Sequence, residues 1–201
     1  MSPSHVAEPT YEAIRQRLKI GAWPMGFRLE AGRLAEDLGV SITPVRDALN
    51  RLVGEKLVDL VPGIGFHVPH LTERGLRELL DLNLLLLLGA VRIGAVPNGS
   101  VAIEAMAHDH AARTEALFAR IASLSRNTEL LDAVLSLGAR LHAVRLHEIV
   151  VLQSATDDLA LIEAAGLARG DRLSSALKNY HQVRMGVADR LIACVRTGGA
   201  V

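Results

Sequence analysis

Between Leu34 and Val68 the apolar residues pass from helical to strand spacing across two sharp turns, and that order limits what the chain can fold into. Leu34, Ala35 and Leu38 occupy one side of a short helix. Gly39 ends it, because glycine takes the left-handed conformation after a helix without a Cβ penalty. Gly39-Val40 is then a turn. Ser41 or Thr43 caps a second helix, and Pro44 sits in its first turn, where no intrahelical N–H bond is lost. Val45, Ala48, Leu49, Leu52 and Val53 recur at i, i+3, i+4, i+7 and i+8, a buried stripe. Leu57–Val61 and Phe66–Val68 then flank Pro62-Gly63-Ile64-Gly65, which predicts a two-stranded hairpin closed by a turn. Upstream, Tyr11, Ile14 and Leu18 mark a leading helix ended by Gly21-Ala22-Trp23-Pro24. Helix, loop, helix, turn, helix and hairpin, in that order, describe a winged helix-turn-helix. Such a module presents its second helix to the major groove of duplex DNA.

The face of that helix opposite the stripe carries Thr43, Arg46, Asp47, Asn50 and Arg51. A helix start with hydroxyls and an arginine suits phosphate oxygens and base edges. The charge balance is unusual for such a role. Residues 1–70 hold eight Lys/Arg and eight Asp/Glu, so the net charge is zero. Affinity that rests on phosphate neutralisation is correspondingly weak.

Residues 11–69 resemble the N-terminal domain of GntR-family bacterial transcription regulators. The stretch GAWPMGFRL (Gly21 to Leu29) is similar to the family's loop between its first two helices. Leu34-Ala35, Leu38-Gly39-Val40-Ser41, Thr43-Pro44-Val45-Arg46-Asp47-Ala48-Leu49 and Leu52 match its helix-turn-helix, and Leu57-Val58 and Gly65 match its wing. Three positions depart from it. Ile42 stands where the family usually has an arginine after the serine, Ile64 stands at the wing tip where another is common, and Gly32 fills an expected basic position beside Arg33. The resemblance implies DNA contacts from Arg28, Arg33, Ser41, Thr43, Pro44, Arg46, Gly63 and Gly65. Leu71-Thr72-Glu73, opening a leucine-rich helix, looks like the subclass with an all-helical, fatty-acid-regulator-like effector domain of the FCD type. That subclass implies a homodimer whose operator affinity is controlled by a small acidic metabolite.

Composition fits a mainly α protein, with residues 1–70 as the winged helix-turn-helix and 71–201 as an all-α bundle. Half the residues are hydrophobic and only 3% aromatic, with Leu and Ala dominant, which favours helix bundles over sheets. One cysteine, Cys194, excludes an internal disulfide, fits a reducing cytoplasm and reads as a small core hydrophobe. The polar start MSPSHVAEPT lacks a signal-peptide apolar core. The leucine run 82–88 is too short to cross a bilayer, which needs about twenty apolar residues, and Asp81 and Arg92 bracket it. Leu76, Leu79, Leu80, Leu84, Leu87 and Leu88 form one stripe, and Leu82, Leu85 and Leu86 a second. A helix apolar on nearly all sides is expected to pack within the bundle and against a partner subunit.

Further on, the spacing predicts helices over about 101–124, 128–153, 156–168 and 172–196. The long second one places His142 and Arg145 on a face with Leu131, Leu135, Ile149 and Leu152. His110 lies among Met106, Leu117, Ile121 and Leu124, and His181 and Arg184 among Leu177 and Ala188. His110, His142, Arg145, His181 and Arg184 are therefore the candidate effector-binding residues. A bundle interior is a usual ligand pocket, and arginine there suits a carboxylate through a bidentate pair.

Many members of the subclass hold a divalent metal through an aspartate, a histidine four residues on, and two later histidines. Aligning Ser125-Arg126-Asn127 with the family pattern puts Thr114, Phe118 and Ala160 at the first three ligand positions, and only His181 near the fourth. His108 and His110 fall on different sides of a helix, a poor chelate. No metal and no cofactor are expected. Nor is catalysis, since no GxSxG, Walker loop, HExxH or paired carboxylates stand out. The combined expectation is a sequence-specific transcription regulator, a repressor, bound to an operator in duplex DNA and controlled by a carboxylate-bearing metabolite. The alternative is a helical protein-interaction module that has lost effector sensing and binds DNA weakly or not at all.

Overall fold

The computed structural model describes residues 4–94, 109–168 and 171–198. The chain divides into two compact units, Met1–Leu71 and Thr72–Val201.

In the first unit, α1 (Ser4–Lys19) packs on α3 (Ile42–Gly54), and α2 (Ala31–Leu38) also packs on α3. The stripe read from the sequence is what α3 buries: Val45, Ala48, Leu49 and Leu52. Gly39 ends α2 at φ 66°, ψ 33°, and its N–H returns to the α2 carbonyls, so the sharp turn into α3 depends on a residue without Cβ. Tyr11 of α1 donates its hydroxyl to Glu55 at 2.8 Å, and the Arg51 guanidinium lies 3.6 Å from the centre of the Tyr11 ring. Arg51 also pairs with Glu8 at 2.9 Å, so this arginine ties α3 to α1.

The wing is larger than expected. Besides the hairpin of β2 (Asp59–Val61) and β3 (Gly65–His67), Arg28–Leu29 forms β1, which pairs antiparallel with the outer side of β3. The strand order is β1-β3-β2, with Leu29 and Leu60 both opposite Phe66. Two residues are too few to show an alternating pattern, which is why β1 was not expected. The turn between β2 and β3 closes through Ile64 N–H to the Val61 carbonyl at 3.0 Å, with Gly63 at φ 75° in the position that requires positive φ.

The second unit is all helical: α4 (Glu73–Ile93), α5 (His110–Ser123), α6 (Thr128–Arg145), α7 (Glu148–Val151), α8 (Ala155–Ala168), α9 (Asp171–Gly186) and α10 (Ala188–Arg196). Thr72, Asp109 and Asn127 cap α4, α5 and α6 with side-chain oxygens that accept the first free N–H groups. The core is built from Leu87, Leu117, Phe118, Ile121, Leu177 and Tyr180, contributed by α4, α5 and α9. Cys194 is buried on α10.

Two expected helices are each broken. The one predicted over 128–153 stops at Arg145, and α7 starts at Glu148, so His142 and Arg145 do not share a continuous face with Ile149, which is exposed. Leu135, placed on the same face, is exposed as well. The last helix breaks at Val187, between α9 and α10. Neither break carries a proline; Gly186 marks the second, whereas the first, at Leu146-His147, has no breaker residue. The expected helix over 101–124 is present from His110, and its earlier part lies outside the described residues. On α4, Leu76, Leu79, Leu80 and Leu87 are buried as the first stripe requires, whereas Leu82 and Leu85 of the second are exposed, Leu85 at 69%. No helix among the described residues is long and apolar enough to cross a membrane.

Candidate functional site

Two groups of polar residues stand out, one in each unit. In the first unit, Ser41 occupies the N-cap of α3 with extended backbone, yet its hydroxyl makes no capping bond. Thr43 and Arg46 are exposed, Pro44 is half-buried, and Arg46 makes no ion pair among the described residues. The first turn of α3 therefore offers a free hydroxyl pair, unpaired backbone N–H groups and an unneutralised guanidinium, a set that matches phosphate and base-edge acceptors. Gly63 and Gly65 shape the wing turn, at φ 75° and 111°. Arg28 is exposed on β1 opposite His67 and so belongs to the wing sheet. Arg33 is exposed too, but its Nε lies 3.2 Å from Glu30 in its own turn, a pair that competes with any outside acceptor.

In the second unit four of the five residues expected to bind an effector, His142, Arg145, His181 and Arg184, are buried and His110 is half-buried, and they do not form one uncommitted pocket. Glu148, at the start of α7, organises most of the cluster. His110 Nε2 donates to its Oε2 at 3.0 Å and Arg184 Nε donates to the same oxygen at 2.9 Å. Tyr180 donates its hydroxyl to the carboxylate at 3.2 Å. Arg184 donates through its NH1 to Asp158 at 2.7 Å and stacks 3.5 Å from the Tyr180 ring centre. Burial alone would raise the Glu148 pKa; the His110 hydrogen bond and the charges of Arg184 and Arg145 outweigh it and hold the carboxyl below its ordinary value. Burial likewise opposes the charge of Arg184, but Tyr180, Glu148 and Asp158 more than offset this. These two side chains neutralise each other within the fold.

His142 donates Nδ1–H to Glu115 at 2.7 Å. His181 is fully buried, with Nδ1–H donating to the Leu177 carbonyl at 2.7 Å, and its ring stacks on Phe118 at 5.7 Å between centroids. Burial lowers its pKa to about 4, so the ring is neutral at pH 7 and can donate only once. Its Nε2, 3.1 Å from the Asn83 amide oxygen, must accept; turning that amide over gives Nε2 a donor and satisfies the otherwise unpartnered Asn83 Nδ2.

Arg145 is different. It is 1% exposed, and its Nε, NH1 and NH2 have no hydrogen-bond partner among the described residues. The guanidinium carbon lies 5.1 Å from the centre of the Phe118 ring, and the group faces the Gly138 side of α6, where an added Cβ would meet NH1 at 3.8 Å. A buried arginine with all its donors idle costs free energy that a bidentate acceptor would recover.

Comparison with known proteins supplies the family. Residues 6–68 match the model of the gntR family of bacterial regulatory proteins. Residues 6–68 form a GntR-family helix-turn-helix domain. The chain is 44% identical over 85 residues to the HTH-type transcriptional regulator McbR of Escherichia coli, covering 42% of this chain and 38% of McbR. It is 31% identical over 134 residues to the Nta operon transcriptional regulator of Aminobacter aminovorans, covering 60% and 64% of the two chains. The matched stretches thus span from over a third to just under two thirds of these curated relatives' lengths. Among solved structures, E. coli McbR aligns over 92% of this chain and 97% of its own, with TM-score 0.66 at 22% identity. A GntR regulator from Rhodococcus sp. RHA1 aligns over the same shares with TM-score 0.73 at 18% identity. At such identities the likeness shows the fold: a GntR winged helix followed by an all-helical domain.

The divalent metal held by many GntR regulators with a helical domain does not fit the residues here. Thr114, at the first ligand position, donates its hydroxyl to the His110 carbonyl at 2.8 Å; Phe118 supplies a ring; Ala160 is exposed and has no donor. His181 is spent on Leu177 and Asn83. Asp109, between His108 and His110 in the sequence, caps α5 instead. Among the described residues no three His, Cys, Asp or Glu side chains gather where a metal ion would be held.

Glu148, Asp158, Glu115, Tyr180 and Asn83 all belong to the cluster without having been singled out in the sequence. Asn83 was the one findable signal, a lone amide inside a run of leucines. The neutral His181 has a consequence for stability. Its folded pKa is depressed from 6.5 to about 4, so the unfolded chain takes up the proton first as pH falls through this window. Glu148, with a depressed pKa, also loses its stabilising charge on acidification. Between pH 7.5 and 5, His181 alone is expected to remove about 2 kcal/mol of unfolding free energy. Urea titrations at the two pH values test this, and His181→Gln should flatten the dependence.

Proposed function

We propose that the chain is a homodimeric transcription regulator, a repressor, that binds an operator through α3 and releases it in response to a small carboxylate-bearing metabolite. The observation that carries the DNA part is the first turn of α3 in a GntR domain, with Ser41, Thr43 and an unpaired Arg46 all presented to solvent. Arg28, with Gly63 and Gly65 of the wing, would steady the domain on the backbone, where contacts position rather than specify. The named relatives are transcriptional regulators, and one is described by the operon it controls.

The effector part is supported by Arg145. Of the five cluster residues it alone offers three uncommitted nitrogens, while His110 and Arg184 are bound to Glu148, His142 to Glu115, and His181 to Leu177 and Asn83. In this reading Arg145 takes the carboxylate, and the other four are residues whose own partners hold the site in shape. For the dimer, the exposed face of α4 carrying Leu82, Leu85 and Ile93 is the apolar surface in need of a cover. Ligand occupancy would then change the population of dimers competent to bind an operator.

Selection of bound sequences from a random duplex pool, followed by titration at several salt concentrations, tests the reading. A regulator enriches a defined, two-fold symmetric motif. Because the GntR unit carries no net charge, affinity should fall with salt by fewer than the six to ten phosphate equivalents of a strongly basic protein. Failure to enrich any sequence at low salt contradicts it.

A further inference from the structure

The recognition helix opens on an exposed isoleucine. Ile42, the first residue of α3, is 50% exposed although β-branched and fully apolar, and it sits between the hydroxyls of Ser41 and Thr43. Half of its surface is left open to solvent, while the next large apolar residues of α3, Val45 and Leu49, are completely buried. Ile42 and Arg46 are four residues apart, so they lie on one face of α3, one turn from each other. A face that carries Arg46 to base edges carries Ile42 with it. Of the groups on the floor of the major groove, only the thymine C5-methyl is apolar. A carboxylate or a phosphate gains nothing from an isoleucine, whereas a methyl group loses water against it.

We infer that Ile42 is a specificity-determining residue that packs on a thymine methyl, one or two base pairs from the base that Arg46 reads. The spacing follows from geometry: one helical turn advances about 5.4 Å and stacked base pairs about 3.4 Å. The inference rests on the DNA-binding reading and adds to it which chemistry of the operator this end of the helix recognises. A domain with zero net charge leans less on phosphate contacts, so such an apolar contact makes up a larger share of its affinity.

The test uses the full-length protein and a duplex enriched from a random pool. Each thymine is replaced in turn by deoxyuridine, which removes the methyl and leaves base pairing and groove acceptors unchanged. In the wild type, one thymine per half-site should cost about fourfold in affinity when demethylated, the effect of burying one methyl-sized group. That thymine should adjoin the base whose identity ceases to matter in Arg46→Ala. In Ile42→Ser, whose side chain is exposed and so should leave the fold intact, the same thymine and uracil duplexes should bind equally. Indifference of the wild type to uracil at every position overturns the contact, and so does an unchanged uracil penalty in Ile42→Ser. An enriched motif without a methyl effect would refute this inference alone, whereas a pool that yields no motif would remove the DNA-binding reading and the inference together.

Discussion

Arg46→Ala lowers affinity for the selected duplex by about a hundredfold or more, while the circular dichroism spectrum, the unfolding midpoint and the dimer stay as in the wild type. The expectation follows from where the side chain is. Arg46 is exposed on α3 and has no ion-pair partner among the described residues, so its loss removes no such contact from the folded unit. A bidentate arginine–base contact contributes on the order of 1–3 kcal/mol, and a dimer on a symmetric site loses two of them. Arg51, on the same helix, is the internal control. It is held by Glu8, Glu55 and the Tyr11 ring, so Arg51→Ala should loosen the contact between α1 and α3 and lower stability, with DNA affinity following only through the folded fraction. Anisotropy titrations beside thermal melts separate the two variants. Equal affinity for wild type and Arg46→Ala would remove α3 from the interface.

The second large effect runs opposite to most core substitutions. Arg145→Met stabilises the ligand-free protein by about 2 kcal/mol, or roughly 4–8 °C in Tm for a chain of this size. An arginine at 1% exposure with three unpartnered nitrogens holds desolvated donors that gain no hydrogen bond, and a methionine of similar reach fills the space beside Phe118 without them. Glu148→Gln should do the reverse. It leaves Arg184 with Asp158 alone and strips His110 and Tyr180 of their shared carboxylate, a loss of about 3–5 kcal/mol. The two substitutions are thus expected to act with opposite signs, because Glu148 accepts hydrogen bonds from Arg184 and His110, whereas the Arg145 donors meet no acceptor among the described residues. Chemical denaturation of the three proteins reads this directly.

The contrast between the two units shows which features a sequence can display. The helix-turn-helix was legible because its determinants are local: a 3.6-residue stripe from Val45 to Leu52, a glycine at the α2 end, and a Pro-Gly turn between short apolar runs. Strand β1 was not, since Arg28 and Leu29 form a strand only because β3 offers them a free edge. In the bundle the candidates were found as polar residues on apolar stripes; four of the five are buried and His110 is half-buried. Their partners were missed for a physical reason. Arg184 meets Glu148 from 36 positions away, and His181 meets Asn83 from 98, distances at which no periodicity survives. The break after Arg145 compounds this. The new helix starts at Glu148 with its carboxylate buried, while Ile149, expected on the stripe with Arg145, is exposed. With those partners in view, Arg145 is distinguished from the other four, a separation that the stripe pattern could not make.

The separate role of Arg145 is tested most directly by one measurement. The affinity of the full-length protein for its selected duplex is determined in the presence of a panel of small mono- and dicarboxylic acids, for the wild type and for Arg145→Met. At least one acid should shift the wild-type binding curve severalfold, and the same acid at the same concentration should leave the Arg145→Met curve where it was. A shift of equal size in the variant, or a wild-type curve that no acid in the panel moves, would contradict the assignment of Arg145 as the residue that receives the effector.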